Sequence, residues 1–255
     1  MLQLFMSSKY KYVVFDFDGV VCDSTNECMV TAWNAWERWN KRGGFRRTLN
    51  EFSQAEIDIF RPLRPYVRGA GEFYILMSVI HSADQSISNQ KDYDELQLRW
   101  QDQLKPFKNI FFIERKRLRK ENINSWIELH EVYADVIAVM QDLHKHGRLL
   151  IATLKDGESV RLILKNNGID IAPEEILDQS QISSKLEALD YFVDGKEINK
   201  EDLCFIDDNL THLTEPKNSG YQVFLSSWGN IIHEHLERAI IENIPILKTI
   251  NNKDF

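Results

Sequence analysis

The feature that most constrains this chain is a short apolar run that leads directly into two acids, at residues 12–20 (YVVFDFDGV). The run up to Asp16 predicts a buried strand, because a short apolar stretch of this kind is typical of a strand covered on both faces. Asp16 and Asp18 then lie at the strand's end, and Gly19 permits a tight turn beneath them. Ligands of open parallel sheets bind at this carboxyl edge, and two buried acids together require a cation or a shared proton. We therefore expect the functional site here.

Apolar runs of strand length and helical periodicity alternate along most of the chain. The predicted strands cover residues 12–16, 149–153, 176–178, 203–207 and 221–225. Strands that alternate with helices predict an α/β fold built on a parallel sheet. A long helical stretch interrupts this alternation, so we expect an α/β domain of residues 1–24 and 131–255 and a helical domain of residues 25–130. After a last helix at 232–240, the sequence predicts only a polar tail.

Three of the longer predicted strands end in oxygen-bearing side chains. Asp16 and Asp18 follow the first strand, Thr153 ends the second, and Asp207 and Asp208 end a third. A single acid at a strand end is more often a turn or helix cap. Three coincident strand ends at one edge of a parallel sheet instead predict a shared site. Carboxylate oxygens suit Mg²⁺, which binds one or two carboxylates together with water and phosphate oxygens.

Two lysines are candidates to balance an anionic substrate at this edge. Lys185 begins a predicted helix after Ser183 and Ser184, where an ammonium group and helix-end N–H groups can hold one anion. A lysine at the start of a helix is about equally consistent with a solvated surface residue. Lys155 follows Thr153 by two residues, so its side chain points either to the same edge or into water.

Composition narrows the class of protein. The formal charge of −8 does not favour a nucleic-acid partner. Three cysteines are typical of reduced thiols in a cytosolic chain, not of a disulfide framework. The N-terminus lacks a basic leader, and the apolar runs are far shorter than the roughly 20 residues of a membrane helix. We expect a cytoplasmic protein without membrane contact, and the sequence does not indicate an oligomeric state.

These motifs, in this order, resemble those of the haloacid dehalogenase (HAD) superfamily. The first motif, at residues 16–20, is the most specific, and the sequence from Asp16 to Ser24 especially resembles the branch of phosphoglycolate phosphatases and β-phosphoglucomutases. So does the segment that begins Thr153-Leu154-Lys155 and ends at residues 167–169. The resemblance covers roughly 150 residues of the α/β domain, as judged from the predicted element boundaries. It implies a Rossmann-like parallel sheet with an inserted all-helical cap domain, although the helical sequence itself is unfamiliar.

The resemblance also implies a role for each matched residue. Asp16 would be the nucleophile and Asp18 the general acid and base, with its backbone carbonyl on the metal. Thr153 and Lys185 would hold the transferring phosphoryl oxygens, and Lys155 is a further substrate-binding candidate. Asp208 would ligate Mg²⁺ directly, and Asp207 would do so directly or through water. Where many members carry a further acid, this chain has His212, which leaves the outer metal shell open.

Asp18 decides the class of reaction implied by the resemblance, because dehalogenases of the superfamily lack an acid two residues after the nucleophile. The function expected is a Mg²⁺-dependent phosphatase of a small phosphorylated metabolite, acting through an aspartyl-phosphate. A phosphomutase that returns the phosphate to its substrate shares every one of these residues. A non-catalytic binding protein on the same fold is the third alternative.

The helical domain offers candidates for substrate selection. Arg61, Arg64 and Arg68 occur with two prolines just before a pair of glycines, and guanidinium groups suit carboxylates or phosphates. Arg68 is the first candidate, and surface ion pairing is the alternative. A basic run between Arg115 and Lys120 is interpreted as a solvated helix face.

Overall fold

A computed structural model describes residues 9–82, 86–251 and 255 of this chain. Its contacts divide the chain into two compact units. The core unit comprises residues 1–22 and 132–255, and the helical unit comprises residues 23–131. Within the described residues, no helix is both long enough and apolar enough to cross a membrane.

Six strands form one parallel sheet, and two further short strands pair with each other. The described strands are β1 (Tyr12–Phe15), β2 (Cys22–Asp23), β3 (Glu131–Val132), β4 (Leu149–Ala152), β5 (Ile176–Leu177), β6 (Leu203–Asp207), β7 (Gln222–Ser226) and β8 (Ile246–Leu247). The order across the large sheet is β5-β4-β1-β6-β7-β8, and every neighbouring pair is parallel.

Helices follow the strands of the core unit and make up most of the helical unit. The core unit contains α7 (Ala134–Lys145), α8 (Gly157–Asn166), α9 (Lys185–Lys196), α10 (Leu210–Asn218) and α11 (His233–Ile241). The helical unit contains α1 (Thr25–Trp39), α2 (Gln54–Leu63), α3 (Phe73–Ile80), α4 (Gln90–Arg99), α5 (Gln101–Glu121) and α6 (Ile123–Ile127). The architecture confirms the predicted α/β class, a Rossmann-like parallel sheet together with an all-helical second unit.

The middle of the sheet is the apolar core of the core unit. Strands β4 and β6 are buried at every position, and β1 is buried from Val13 onward. On one face, Val14 and Phe205 pack with Leu189 of α9 and Leu213 of α10. Helical cover on a parallel sheet explains why these strands are continuous apolar runs.

The register of the sheet places the strand ends side by side. Phe15 of β1 pairs with Ile151 of β4 and with Ile206 of β6. The residues one step further along are therefore level with one another: Asp16, Ala152 and Asp207. The register thus brings Asp16 next to Asp207, although the two residues are 191 positions apart in the sequence. The apolar pattern alone does not specify which strands are neighbours, whereas the parallel pairing does.

One edge strand departs from the sequence expectation. The segment after α11 is not only a polar tail, because Ile246 and Leu247 form β8 and pair with Leu225 and Ser226 of β7. Two residues are too few to show the alternation by which a strand is identified in a sequence. The prediction was wrong for this reason.

The basic run of α5 matches its interpretation as a solvated face only in part, because Lys116, Arg117 and Lys120 are exposed but Arg115 and Arg119 are buried. Arg115 is only 3% exposed, and its Nε and Nη2 atoms donate to the two carboxylate oxygens of Glu27 in α1, both at 2.8 Å. Glu27 is itself fully buried and also accepts from the Thr31 hydroxyl at 2.7 Å. Arg119 is buried as well, over the Trp126 ring. A buried carboxylate requires a charged partner, and this requirement turns Arg115 inward.

The Glu27–Arg115 pair yields a stability prediction. Arg115→Met leaves the Glu27 charge buried without its bidentate partner, so the free energy of unfolding should fall by about 3–5 kcal/mol. Urea denaturation followed by circular dichroism measures this loss. Lys91→Met is the control, because its ion pair with Glu95 is exposed and contributes little. If Arg115→Met is as stable as the control, the buried pair does not hold α1 and α5 together.

Candidate active site

Lys185 links the acids at the carboxyl edge of the sheet. It is the first residue of α9, and its Nζ donates to Asp16 Oδ1 at 2.6 Å and to the carbonyl oxygen of Ala152 at 2.7 Å. The same Nζ lies 3.3 Å from Asp207 Oδ2. Burial opposes the ammonium charge, but Asp16 and Asp207 outweigh it and raise the pKa of Lys185 above its ordinary value. The lysine therefore stays charged at neutral pH, and the alternative of a solvated surface residue is wrong.

The pKa values of Asp16 and Asp207 are shifted in opposite directions, although both side chains are buried. Burial raises the pKa of Asp16 above its ordinary value, with Lys185 opposing the shift and Asp207 adding to it. Burial alone would also raise the pKa of Asp207, but Lys185 and His212 outweigh it and hold that pKa low. The anion of Asp207 is thus stabilised by its partners, whereas burial disfavours the anion of Asp16, which a bound cation would stabilise.

Donors from three sides hold the Asp207 side chain. Its Oδ1 accepts the backbone N–H of Asn209 at 2.8 Å, and its Oδ2 contacts both Lys185 and His212 Nδ1, the latter at 3.1 Å. Since a carboxylate only accepts, the His212 proton lies on Nδ1. His212, which stands where many family members carry a further acid, is therefore a hydrogen-bond partner of Asp207.

Asp208 sits in a different environment, between two glycines. Its Oδ2 accepts the backbone N–H of Asn230 at 2.6 Å. A Cβ atom on Gly19 would lie 1.8 Å from Asp208 Oδ2, and one on Gly229 would lie 2.7 Å from it. Gly19 also has a φ of +86°, which favours glycine on conformational grounds. The carboxylate of Asp208 therefore fits only because neither neighbour has a side chain.

Asp18 is paired with the second lysine. Lys155 Nζ donates to Asp18 Oδ1 at 3.0 Å, and the Lys155 side chain is 0% exposed. The backbone N–H of Lys155 donates to Thr153 Oγ1 at 3.1 Å, while the Thr153 N–H donates to Leu177 of β5. Of the two directions left open for Lys155, the structure selects the one toward the acids.

The donor set suits a divalent cation. Oxygen atoms of Asp16, Asp207 and Asp208 all lie within 4.8 Å of one another. Together with Asp18, four carboxylates face the two ammonium groups of Lys155 and Lys185, which leaves an excess of negative charge. Hard oxygen donors with excess negative charge fit Mg²⁺ better than a soft metal that prefers thiolate or imidazole.

Arg68 lies in the helical unit and has partners there. Its guanidinium forms an ion pair with Asp94 and donates to Gln97 Oε1 at 3.1 Å, and its backbone N–H donates to Glu72 at 2.7 Å. Glu72 in turn accepts from the buried Tyr93 hydroxyl at 2.6 Å. A contact between Arg68 and substrate stays a prediction.

Sequence reasoning missed the loop after β7, which supplies Trp228, Gly229 and Asn230. Trp228 Nε1 donates to the carbonyl oxygen of Val20 at 3.0 Å, and the other two residues adjoin Asp208. A signal was present, since β7 was predicted and also ends at the carboxyl edge. Applied to β7 as well, the expectation that functional residues follow strand ends would have pointed to the loop.

Comparisons with solved structures agree with this geometry at the level of the fold. A protein from Bacteroides fragilis assigned as a haloacid dehalogenase-like hydrolase is 16% identical, with a TM-score of 0.62 over 97% of this chain and 100% of its own. A predicted phosphoglycolate phosphatase from Haemophilus somnus is 18% identical, with a TM-score of 0.61 over 97% of each chain. A β-phosphoglucomutase from Clostridium difficile is 13% identical, with a TM-score of 0.54 over 96% of this chain and 93% of its own.

None of the curated proteins compared with the chain matches it significantly. The family model described as haloacid dehalogenase-like hydrolase matches residues 10–220, which include the strand ends, both lysines and the four acids of the site. The chain is therefore a member of the haloacid dehalogenase-like hydrolase family.

Proposed function

We propose that this protein is a Mg²⁺-dependent phosphatase that hydrolyses a small phosphorylated metabolite through an aspartyl-phosphate on Asp16. One observation carries the proposal: the buried Asp16 carboxylate shares a cluster with Asp207 and Asp208 and is held by Lys185 at 2.6 Å. Asp18, two residues further on, has a separate partner in Lys155. These contacts support Asp16 as the group that attacks phosphorus and Asp18 as the group that transfers a proton.

The metal would be held by Asp16, by Asp208 and by the backbone carbonyl of Asp18, with Asp207 as a direct or water-mediated ligand. A bound divalent cation offsets the charge of a carboxylate and of a phosphoryl group that would otherwise repel each other. Asp208 suits direct ligation, because the Asn230 N–H orients its carboxylate and Gly19 and Gly229 leave room beside it. Asp207 suits a supporting role, because Lys185, His212 and the Asn209 N–H already contact its oxygens.

In the first half of the reaction, an oxygen of Asp16 attacks phosphorus. The new O–P bond forms as the bond from phosphorus to the leaving oxygen breaks, and protonated Asp18 gives its proton to that oxygen. In the second half, Asp18 takes a proton from water as the water oxygen attacks phosphorus. The Asp16–phosphorus bond breaks, inorganic phosphate leaves, and both acids return to their starting forms.

The remaining residues hold the phosphoryl group and the acids. Lys185 and Thr153 would bind the transferring phosphoryl oxygens, and the charge of Lys185 is already fixed by its acids. Lys155 would contact substrate phosphate from its place beside Asp18. The helical unit, proposed as a cap domain of residues 25–130, would select the substrate, with Arg68 as the first candidate residue.

A phosphomutase would use the same acids and lysines and differ in returning the phosphate to its substrate. A panel of phosphosugars and other phosphorylated metabolites, assayed for released phosphate, separates the two functions. Phosphate release supports the phosphatase, whereas an isomerised phosphosugar without phosphate release supports the mutase.

The first test removes the nucleophile. Asp16→Asn should lower phosphate release from p-nitrophenyl phosphate by more than about 10³-fold, because the covalent route is lost. Asp202→Asn is the matched control, since Asp202 adjoins the amino end of β6 and binds Lys11, and this variant should keep full activity. Wild-type activity in Asp16→Asn would refute the assignment of the nucleophile.

The second test separates the two half-reactions. Asp18→Asn should lower steady-state turnover by about 10²–10⁴-fold, the usual contribution of a general acid–base residue. p-Nitrophenolate leaves without help from an acid, so Asp16 is still phosphorylated and the intermediate accumulates. Intact-protein mass spectrometry should then detect one added phosphoryl group in Asp18→Asn and none in the double variant Asp16→Asn/Asp18→Asn. An adduct that persists in the double variant would place the phosphate on another residue.

The third test removes the metal. Chelation with EDTA should abolish phosphate release, and excess Mg²⁺ should restore it, because the acids of the site are mutually repulsive without a cation. Ca²⁺ should restore little activity, since it prefers more ligands at longer distances than Mg²⁺ does. Full activity in EDTA would contradict the metal dependence while leaving the nucleophile to be judged by Asp16→Asn.

A further inference from the structure

We infer that the loop of residues 228–230 positions Asp208, so that this carboxylate presents one oxygen to the metal. The inference rests on the proposed function, in which Asp208 is the direct metal ligand. Three features of this loop support the inference. The backbone N–H of Asn230 and the absence of a Cβ at Gly229 affect Asp208, and the indole N–H of Trp228 binds the segment that follows Asp16 and Asp18. Each of the three is a separate observation.

The first observation is the orientation of the carboxylate. The backbone N–H of Asn230 donates to Asp208 Oδ2 at 2.6 Å, and Asp208 is buried. A short hydrogen bond from a fixed N–H to a charged oxygen sets the rotation of the carboxylate about its Cβ–Cγ bond. Once Oδ2 is fixed, the direction of Oδ1 is fixed with it. Partners of this kind tune metal ligands without touching the metal.

The second observation is the close approach at Gly229. A Cβ there would lie 2.2 Å from the carbonyl oxygen of Gly19 and 2.7 Å from both Cβ and Oδ2 of Asp208. Position 229 therefore requires glycine because a larger residue would not fit in this space. The loop backbone therefore lies directly against both the ligand and the turn beneath the first two acids.

The third observation is the anchor of the loop. Trp228 Nε1 donates to the carbonyl oxygen of Val20 at 3.0 Å, and the backbone N–H of Tyr133 donates to the next carbonyl, that of Val21, at 3.0 Å. Val20 and Val21 are fully buried. The indole thus ties the loop to the segment after Gly19, so that Asp208 and the first acid motif are held in one fixed relation.

Isothermal titration of the purified, metal-free full chain with MgCl₂ tests the inference without relying on activity. Gly229→Ala should weaken Mg²⁺ binding by about 10- to 100-fold, the usual effect of losing a partner of a metal ligand. Trp228→Phe keeps an aromatic ring but loses the indole N–H, and should weaken binding by roughly 3- to 10-fold, the equivalent of one hydrogen bond. Ser227→Ala is the control, because its hydroxyl donates to Leu247 of β8, and its Mg²⁺ affinity should match that of the wild type.

A second readout separates positioning from a general loss of structure. In Trp228→Phe, saturating Mg²⁺ should restore the wild-type kcat, and the KM for p-nitrophenyl phosphate should stay unchanged. A merely structural defect would lower kcat at every Mg²⁺ concentration. If Gly229→Ala does not fold, as judged by circular dichroism, the Trp228→Phe titration decides the question.

The outcomes distinguish this inference from the proposed function. If Trp228→Phe and folded Gly229→Ala both bind Mg²⁺ as tightly as the wild type does, the inference is wrong and the proposed function is unaffected. Wild-type protein that binds no Mg²⁺ overturns the metal-dependent function and the inference with it. Weakened binding in the loop variants, with Ser227→Ala unchanged, supports the positioning role.

Discussion

Repulsion among buried carboxylates at one edge of the sheet sets the terms for every other group in the site. At 4 Å and an effective dielectric constant of 20, two like charges repel by about 4 kcal/mol. Asp16, Asp207 and Asp208 place oxygens within 4.8 Å of one another, and the ammonium of Lys185 contacts the first two of these acids. Together with Asp18, the four carboxylates of the site outnumber the ammonium groups of Lys155 and Lys185. This excess of negative charge destabilises the folded chain. It would also attract a divalent cation, which in turn would bind a phosphate.

In our proposal, the two adjacent acids at the end of β6 have different roles, because their described surroundings differ. Asp207 is contacted by a lysine, a histidine and a backbone N–H, all of which stabilise its anion. The neighbours described for Asp208 include the Asn230 N–H and two glycines, Gly19 and Gly229. In our proposal, the first acid holds Lys185 and His212 in place and ligates the metal directly or through water, and the second ligates it directly. Asp207 is the last residue of β6, whereas Asp208 follows the strand and lies against the loop after β7.

Much of this site could be predicted from sequence because it depends on strand ends. A buried parallel strand is a continuous apolar run, so its end can be located, and parallel pairing then gathers Asp16, Thr153 and Asp207 at one edge. The same logic fails for β8, whose two residues carry no readable pattern. It also passed over the loop after β7, because Gly229 and Asn230 act through a missing Cβ and a backbone N–H. Neither of these has a residue-type signature of metal chemistry.

Whether a long cationic side chain points toward the buried acids or into solvent was the hardest feature to predict. The partners of these side chains are far away in the sequence. Lys155 meets Asp18 across 137 positions, Lys185 meets Asp16 across 169, and Arg115 meets Glu27 across 88. Local spacing contains no information about partners at such distances, and each of these side chains is long enough to reach solvent instead. The deciding term is the cost of a buried acid without a charged partner, which is felt only after the fold has formed. Once an acid is known to be buried, a cation within reach is drawn to it. The strand-end acids are therefore the residues from which the lysines of this site should be deduced, and not the reverse.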